Sequence, residues 1–331
     1  MIRVFALLLS LVVVAATAQE RIKVGIIGLD TSHSPAFIKH LNAEKPDSVF
    51  AGFQVVAAYP YGSKSIESSY KRIPGYTEEA KKHGVKIVES IEELLSMVDC
   101  VLLETNDGNC HLEQAELVFK AKKPMFIDKP IGANLAQTLA IVELSKRYGS
   151  PFFSSSALRF SVNTEKIRSG RYGKVHGAYA YSPAPNEPSH ADLYWYGIHG
   201  VESLFAVMGK GCKSVQASTH ESADVATAIW EDGRLGQYRG VRAGKHVFGG
   251  TAYCENRCQA IGGYEGYAKL LENILNYFRT GKAPVEMEET VEIYTFMEAV
   301  NESKRQGGKA VEMSEVRAKA EKQVAKLLKK R

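Results

Sequence analysis

The chain has 331 residues, 45% of them hydrophobic, which is enough apolar material for one large or two ordinary cores, and no repeat or low-complexity tract interrupts it. Its formal net charge of +5 is not spread evenly: leaving out Arg3 the net is +4, and residues 317–331 alone carry seven basic groups against one acid, so the remainder stands near −2. The basic character describes a tail, which excludes a nucleic-acid-binding face on the body of the protein.

Residues 1–18 read as a secretory signal peptide: Arg3, an apolar run from Val4 to Ala16 broken only by Ser10, and the small-residue end Ala16-Thr17-Ala18. The run is shorter than the ~20 residues of a membrane span and is followed at once by Gln19-Glu20-Arg21. A cut after Ala18 and a periplasmic or secreted protein without stable membrane insertion are therefore expected. A single arginine before the apolar run argues against the twin-arginine route, and no cysteine follows the cut to carry a lipid.

From residue 21 to about 150, short apolar strands alternate with amphipathic helices. The strands are expected at 22–28, 53–59, 85–88, 100–105, 124–129 and 151–156, and the helices at 34–42, 78–83, 91–97, 109–121 and 134–148. That order predicts a Rossmann-type parallel sheet domain over 19–152. Beyond Arg159, segments 175–183, 213–219, 224–233 and 234–241 alternate as half-buried antiparallel strands do, with helices at 196–209 and within 264–304. An α+β domain with a mostly antiparallel sheet is expected over 153–313. Residues 314–331 place Val316, Ala320, Val324, Leu327 and Leu328 on one stripe, which predicts a basic amphipathic helix docked on the body. The five cysteines form no C-x-x-C pair, and Cys254 and Cys258 lie too far apart to bridge if both sit on one extended strand. Neither they nor the nine histidines show a ligand spacing, so no metal site and no essential disulfide are expected.

Several segments in register give the chain a likeness. They are the first strand with Gly28, SIEELLSMVDCVLLET followed by Asn106 and His111, FIDKP at 126–130, ALRF at 157–160, YGIHGVE at 196–202, and the closing NYFRTGKAPV and EAVNESKRQGGKAVEM. In order and spacing they resemble the glucose-fructose oxidoreductase / inositol dehydrogenase (Gfo/Idh/MocA) family. The resemblance implies an oxidoreductase that moves hydride between NAD or NADP and a sugar or sugar derivative, and a homo-oligomer paired through the open face of the second sheet. FIDKP matches the family's E-K-P, with Asp128 for the glutamate. Lys129, pushed over the C-terminal edge of the sheet, is then placed to stabilise the alkoxide formed as hydride leaves carbon. In YGIHGVE the matching positions are Gly197, His199 and Glu202, with His199 as general base.

The likeness also has departures. Where many relatives carry an aspartate four residues before the histidine, this chain has Trp195, inside Tyr194-Trp195-Tyr196. Trp195 offers a flat face to a sugar ring and Tyr194 or Tyr196 a replacement donor, while Arg159 and Glu202 are further substrate contacts; Tyr196 joins Lys129 and His199 as a catalytic candidate. In the nucleotide loop the second and third glycines are replaced by Asp30 and His33. Asp30 brings a charge toward two phosphates unless it turns away, leaving Thr31, Ser32 and the N–H groups at the helix start to donate, with Ser34-Pro35 as N-cap and first turn. The second strand ends without the acid that grips a ribose, and Ser63 and Lys64 follow, a pair suited to a 2′-phosphate. The cofactor set is then Gly28, Asp30, Thr31, Ser32, Ser63, Lys64, Thr105, Asn106, Asp128 and Lys129. A second reading stays open: a non-redox member of the fold that has turned both clefts to sugar binding.

Overall fold

The computed structural model describes residues 21–329; the expected signal peptide lies outside the described residues. The first half runs β1 (Ile22–Ile27), α1 (His33–Leu41), β2 (Phe53–Tyr59), α2 (Glu67–Tyr70), α3 (Ile73–Lys82), β3 (Lys86–Ile87), α4 (Ile91–Met97), β4 (Cys100–Leu103), α5 (Gly108–Lys120), β5 (Met125–Ile127), α6 (Leu135–Tyr148) and β6 (Phe152–Phe153). Its strands form one parallel sheet in the order β3-β2-β1-β4-β5-β6. Successive residues of a strand face opposite ways. Val101 and Leu103 accordingly join a core under α4, α5 and α6, while Leu102 joins one under α1 and α3.

The third helix begins earlier than its charged residues suggest, because Pro74 sits in its first turn, where the missing N–H has no helical partner to lose. Helix α1 opens at His33 rather than at a Ser34 cap; the Ser34 hydroxyl instead donates to the Gly28 carbonyl at 2.9 Å.

The second half continues with a short 3-10 turn (Ala157–Phe160), α7 (Val162–Arg168), β7 (Val175–Pro183), α8 (Ile198–Met208), β8 (Cys212–His220), β9 (Ala223–Trp230), β10 (Leu235–Val241), β11 (Gly249–Cys254), β12 (Cys258–Ile261), α9 (Ala268–Thr280), α10 (Met287–Arg305), β13 (Val311–Glu312) and α11 (Met313–Lys329). The sheet order is β12-β11-β7-β10-β9-β8-β13, antiparallel except for the β7–β10 pair. Helices α8 and α10 cover one face, where Trp230, Tyr238 and Phe296 are buried. Helix α11 docks as its stripe predicts, with Val316 and Ala320 buried against α6 and α10.

Two expectations change here. Cys254 and Cys258 belong to two strands joined by a tight hairpin, not to one strand, and all five cysteines are free thiols. Helix α9, which falls in the second domain by position in the chain, packs on the first sheet: Leu270, Leu271, Ile274 and Leu275 are fully buried with Val24, Ile26, Phe126 and Phe153. Its apolar stripe required a partner surface but did not name one.

Candidate active site

The C-terminal edge of the first sheet and the start of α8 face one cavity of about 370 Å³, a size at the lower end of small-molecule sites. Lys129 enters it from the loop after β5, His199 from the first turn of α8, and Trp195 and Tyr196 from the turn before that helix. Lys129 is only 7% exposed, yet no carboxylate is paired with it among the described residues. Its ammonium lies 5.8 Å from the centre of the Tyr196 ring, a cation over an aromatic face. Phe248 stacks on Tyr196 and meets His199 edge-on, fixing both rings.

A short network sets the state of His199. The Ser156 hydroxyl lies 2.8 Å from Nδ1 and also accepts the Leu158 N–H. When its single proton goes to Nδ1, the ring proton sits on Nε2. Burial and the nearby Lys129 charge hold the imidazole well below its usual pKa, so it stays neutral. In this arrangement His199 offers an N–H donor. Acting as a base requires the proton to move to Nδ1, after which the Ser156 hydroxyl loses its acceptor, a cost of about 1 kcal/mol.

Three expected substrate contacts lie elsewhere. Tyr194 is fully buried and its phenol donates to the Tyr294 carbonyl at 2.9 Å; consecutive residues entering a helix point in different directions, and only Trp195 and Tyr196 of the aromatic run reach the cavity. Arg159 and Glu202 form a buried ion pair at 2.8 Å, and Arg159 also pairs with Glu289 at 2.7 Å. Glu202 accepts the Ser156 N–H at 2.8 Å and the Ser155 hydroxyl. These charges satisfy one another and hold the serine segment that orients His199, instead of touching a ligand.

On the nucleotide side, Gly28 turns with φ 94°, and a Cβ there would sit 2.5 Å from the Thr105 nitrogen. Only glycine fits both the dihedral and the contact. Asp30 points inward and accepts the N–H groups of Ser63 at 3.2 Å and Asn106 at 3.1 Å. Burial outweighs these bonds and pushes its pKa up to about 6. The Ser63 hydroxyl donates to Asp107 at 2.7 Å, so it is not free for a 2′-phosphate; Lys64 remains exposed. Thr105 is buried, whereas Thr31, Ser32 and Asn106 reach the cavity.

His33, at the third-glycine position, places Nδ1 3.2 Å from Glu104 and 3.3 Å from Asp128. Burial pulls its pKa down, but the charge and hydrogen bond of Asp128, with those of Glu104, win and push it up to about 10. Against its burial, the positive charges of His33 and Lys129 hold the Asp128 carboxyl down to about 2; burial pushes Glu104 up to about 7. One ligand atom from each of His33, Glu104 and Asp128 lies within 4.8 Å of the others, a grouping no spacing in the chain announced. With Nδ1 protonated there is no lone pair to give a metal, and the three form an ion trio. Asp128 is thus His33's partner and is wholly buried.

Residues 22–155 match the model of the Gfo/Idh/MocA oxidoreductase family, described as an NAD-binding Rossmann fold. Over this domain the chain is similar to the Gfo/Idh/MocA oxidoreductases. Its two-domain fold is shared with scyllo-inositol dehydrogenase from Lactobacillus casei, at 15% identity and a TM-score of 0.71 over 89% of this chain and 99% of that one. The same enzyme with bound NAD(H) and scyllo-inositol gives 14% and 0.69 over 89% and 100%. A "probable dehydrogenase from Thermotoga maritima" gives 19% and 0.71 over 89% and 100%. No curated protein is matched by sequence. The matched family is NAD-binding, and the residues of this chain fit that cofactor unevenly. Toward the cavity, Thr31, Ser32, Asn106 and Lys129 present polar groups to the nicotinamide end. At the adenosine end, the loop after β2 is bonded across to the segment after β4 through Ser63–Asp107 and through the Gln114 amide to the Tyr61 carbonyl at 3.5 Å.

The cavity also contains residues that motif reading did not find: Arg72, Ser68, Phe248, Tyr264 and Tyr267. The Tyr267 phenol bonds Ser32 at 2.9 Å and its ring packs on His33 at 4.3 Å. The sequence GGYEGYAK, two tyrosines among glycines before a helix, was the signal available for the last two.

Proposed function

We propose that the protein is an oxidoreductase acting on the CH–OH group of a sugar or sugar derivative with tightly held NAD. The observation that carries this reading is that the unpaired Lys129 ammonium and the neutral His199 ring line the same cavity, at the sheet edge where open α/β folds bind ligands. Bound NAD supplies the hydride chemistry. Lys129 holds the reacting oxygen and stabilises charge growing on it. In the reducing direction the His199 Nε2–H is a second donor to that oxygen; in the oxidising direction the tautomer switch frees Nε2 to take the alcohol proton. Tyr196 keeps both groups in place. The signal-like N-terminus supports an exported protein, for which a cofactor that stays bound is an advantage; the exported chain is expected to begin at Gln19. A row of Ile229, Leu235 and Tyr253, adjacent across β9, β10 and β11 with Gly177 of β7 between the last two and about half exposed, supports pairing of two copies through this sheet.

Denaturing the purified mature protein tests the reading: NAD(H) is expected in the released fraction. No released nucleotide, with no binding at millimolar NAD or NADP, overturns it. The bridge over the adenosine end favours a second reading, a sugar-binding protein without redox chemistry. Sugar-dependent thermal stabilisation in the absence of nucleotide supports that one, and stabilisation only with nucleotide present removes it.

A further inference from the structure

The charge of the cavity wall goes beyond what a neutral sugar asks for. Its seventeen lining residues include no aspartate or glutamate, but they include Lys129 and Arg72. A neutral sugar donates a proton from every hydroxyl and needs acceptors around it. A buried donor left without one is destabilising. The wall offers hydroxyls that can accept, from Thr31, Ser32, Ser68, Ser156 and three tyrosines, but its charged groups are the Lys129 ammonium and the Arg72 fork, with no carboxylate to balance them. Lys129 is 93% buried by its 7% exposure, lines the cavity and has no ion-pair partner among the described residues. Arg72, exposed at the mouth, is held only by a 3.4 Å contact to the Asp30 carbonyl. Glu104 and Asp128 are wholly buried and paired with His33, which lines the cavity where they do not, and Asp30 and Glu202, behind Asn106 and Ser156, do not line it either. Helices α1 and α8 both begin at the wall, at His33 and Ile198, and add their positive ends.

We propose that the ligand of this cavity is an anion of monosaccharide size, a sugar acid whose carboxylate is met by Arg72 while Lys129 and His199 address the carbon–oxygen group that reacts. The assignment rests on the oxidoreductase reading for the second half of that sentence only. An arginine fork suits a carboxylate because two parallel N–H groups match its two oxygens. The 370 Å³ of the cavity, which a nicotinamide end would share, leaves room for no more than about one sugar ring.

Calorimetric titration of the full-length mature protein with matched pairs tests this: D-glucuronate against D-glucose and D-galacturonate against D-galactose, with glucose 6-phosphate as a third arm. In at least one pair the acid is expected to bind about tenfold tighter or better, the scale of one charge-assisted contact. Arg72→Met is expected to bring acid and neutral sugar within about threefold of each other, with Arg72→Lys between the two. Equal binding within each pair, binding of neither member, or an acid preference that survives Arg72→Met overturns the proposal. Glucose 6-phosphate binding more tightly than both acids overturns the carboxylate assignment. Failure of the oxidoreductase reading shows differently: the acid preference remains and disappears in Arg72→Met, while no nucleotide is reduced or oxidised by any arm.

Discussion

The two ends of the cleft handle polar groups in opposite ways. At the adenosine end Asp30, Ser63, Asn106 and Asp107 bond to one another. At the cavity end Lys129 and Arg72 have no acidic partner among the described residues. Polar groups that meet inside the fold contribute to its stability, whereas groups left without partners are held for something that arrives. The same contrast separates two buried cations close in the chain: Arg159 has two carboxylates, and Lys129 has none.

The sharpest way to break this contrast is to remove the satisfied cation. Arg159→Met leaves Glu202 and Glu289 buried and unpaired, and is expected to cost about 3–5 kcal/mol in urea unfolding. A loss below about 1 kcal/mol would place the trio with surface ion pairs. Next comes Asp30. Its folded pKa of about 6 lies above the ordinary aspartate value of 3.8, so its contribution is fully present below pH 3.8 and lost as pH rises through 6. At 1.36 kcal/mol per unit this amounts to about 3 kcal/mol. Asp30→Asn is expected to flatten that part of the stability–pH curve, and an unchanged slope between pH 4 and 7 would refute the assignment.

The unpaired cation should behave differently. Lys129→Met is expected to reduce turnover by about 100-fold or more, the scale for one oxyanion donor, with thermal midpoint unchanged. A fall in midpoint that matches the fall in rate would return Lys129 to a structural role. The smallest effect concerns the bridge. Ser63→Ala removes the bond to Asp107, and NAD affinity is expected to rise by up to about tenfold, since one charged hydrogen bond no longer has to be broken. Unchanged or weaker NAD binding by calorimetry would mean that the bridge does not oppose the cofactor.

Most strands and helices of the first half and four strands of the second were legible because apolar periodicity is local, whereas β11, β12, β13, α2 and α7 were not read. Segment 53–59 and helix 91–97 match residue for residue. Lys129 and His199 were legible through short motifs that fix a residue at the end of a strand and at the start of a helix. What escaped depends on distance along the chain. Asp30 finds its donors 33 and 76 residues away, and Tyr194 finds its acceptor 100 residues away. Nothing in Tyr194-Trp195-Tyr196 distinguishes a core ring from a wall ring until α10 supplies the Tyr294 carbonyl. His33 looked like a lost glycine, and its role depends on Glu104 and Asp128 at the ends of two other strands.

Helix α9 carries a consequence for synthesis. One face of the first sheet rests on residues 270–277, so on the ribosome about four-fifths of the chain must emerge before that face can be covered. Domains usually fold in turn as they appear, the N-terminal one first. Here the first domain waits for a helix made after most of the second, and α11, made last, still has to seal α6. The core shared by α1, α3 and α9 is therefore completed only after most of the chain has been made.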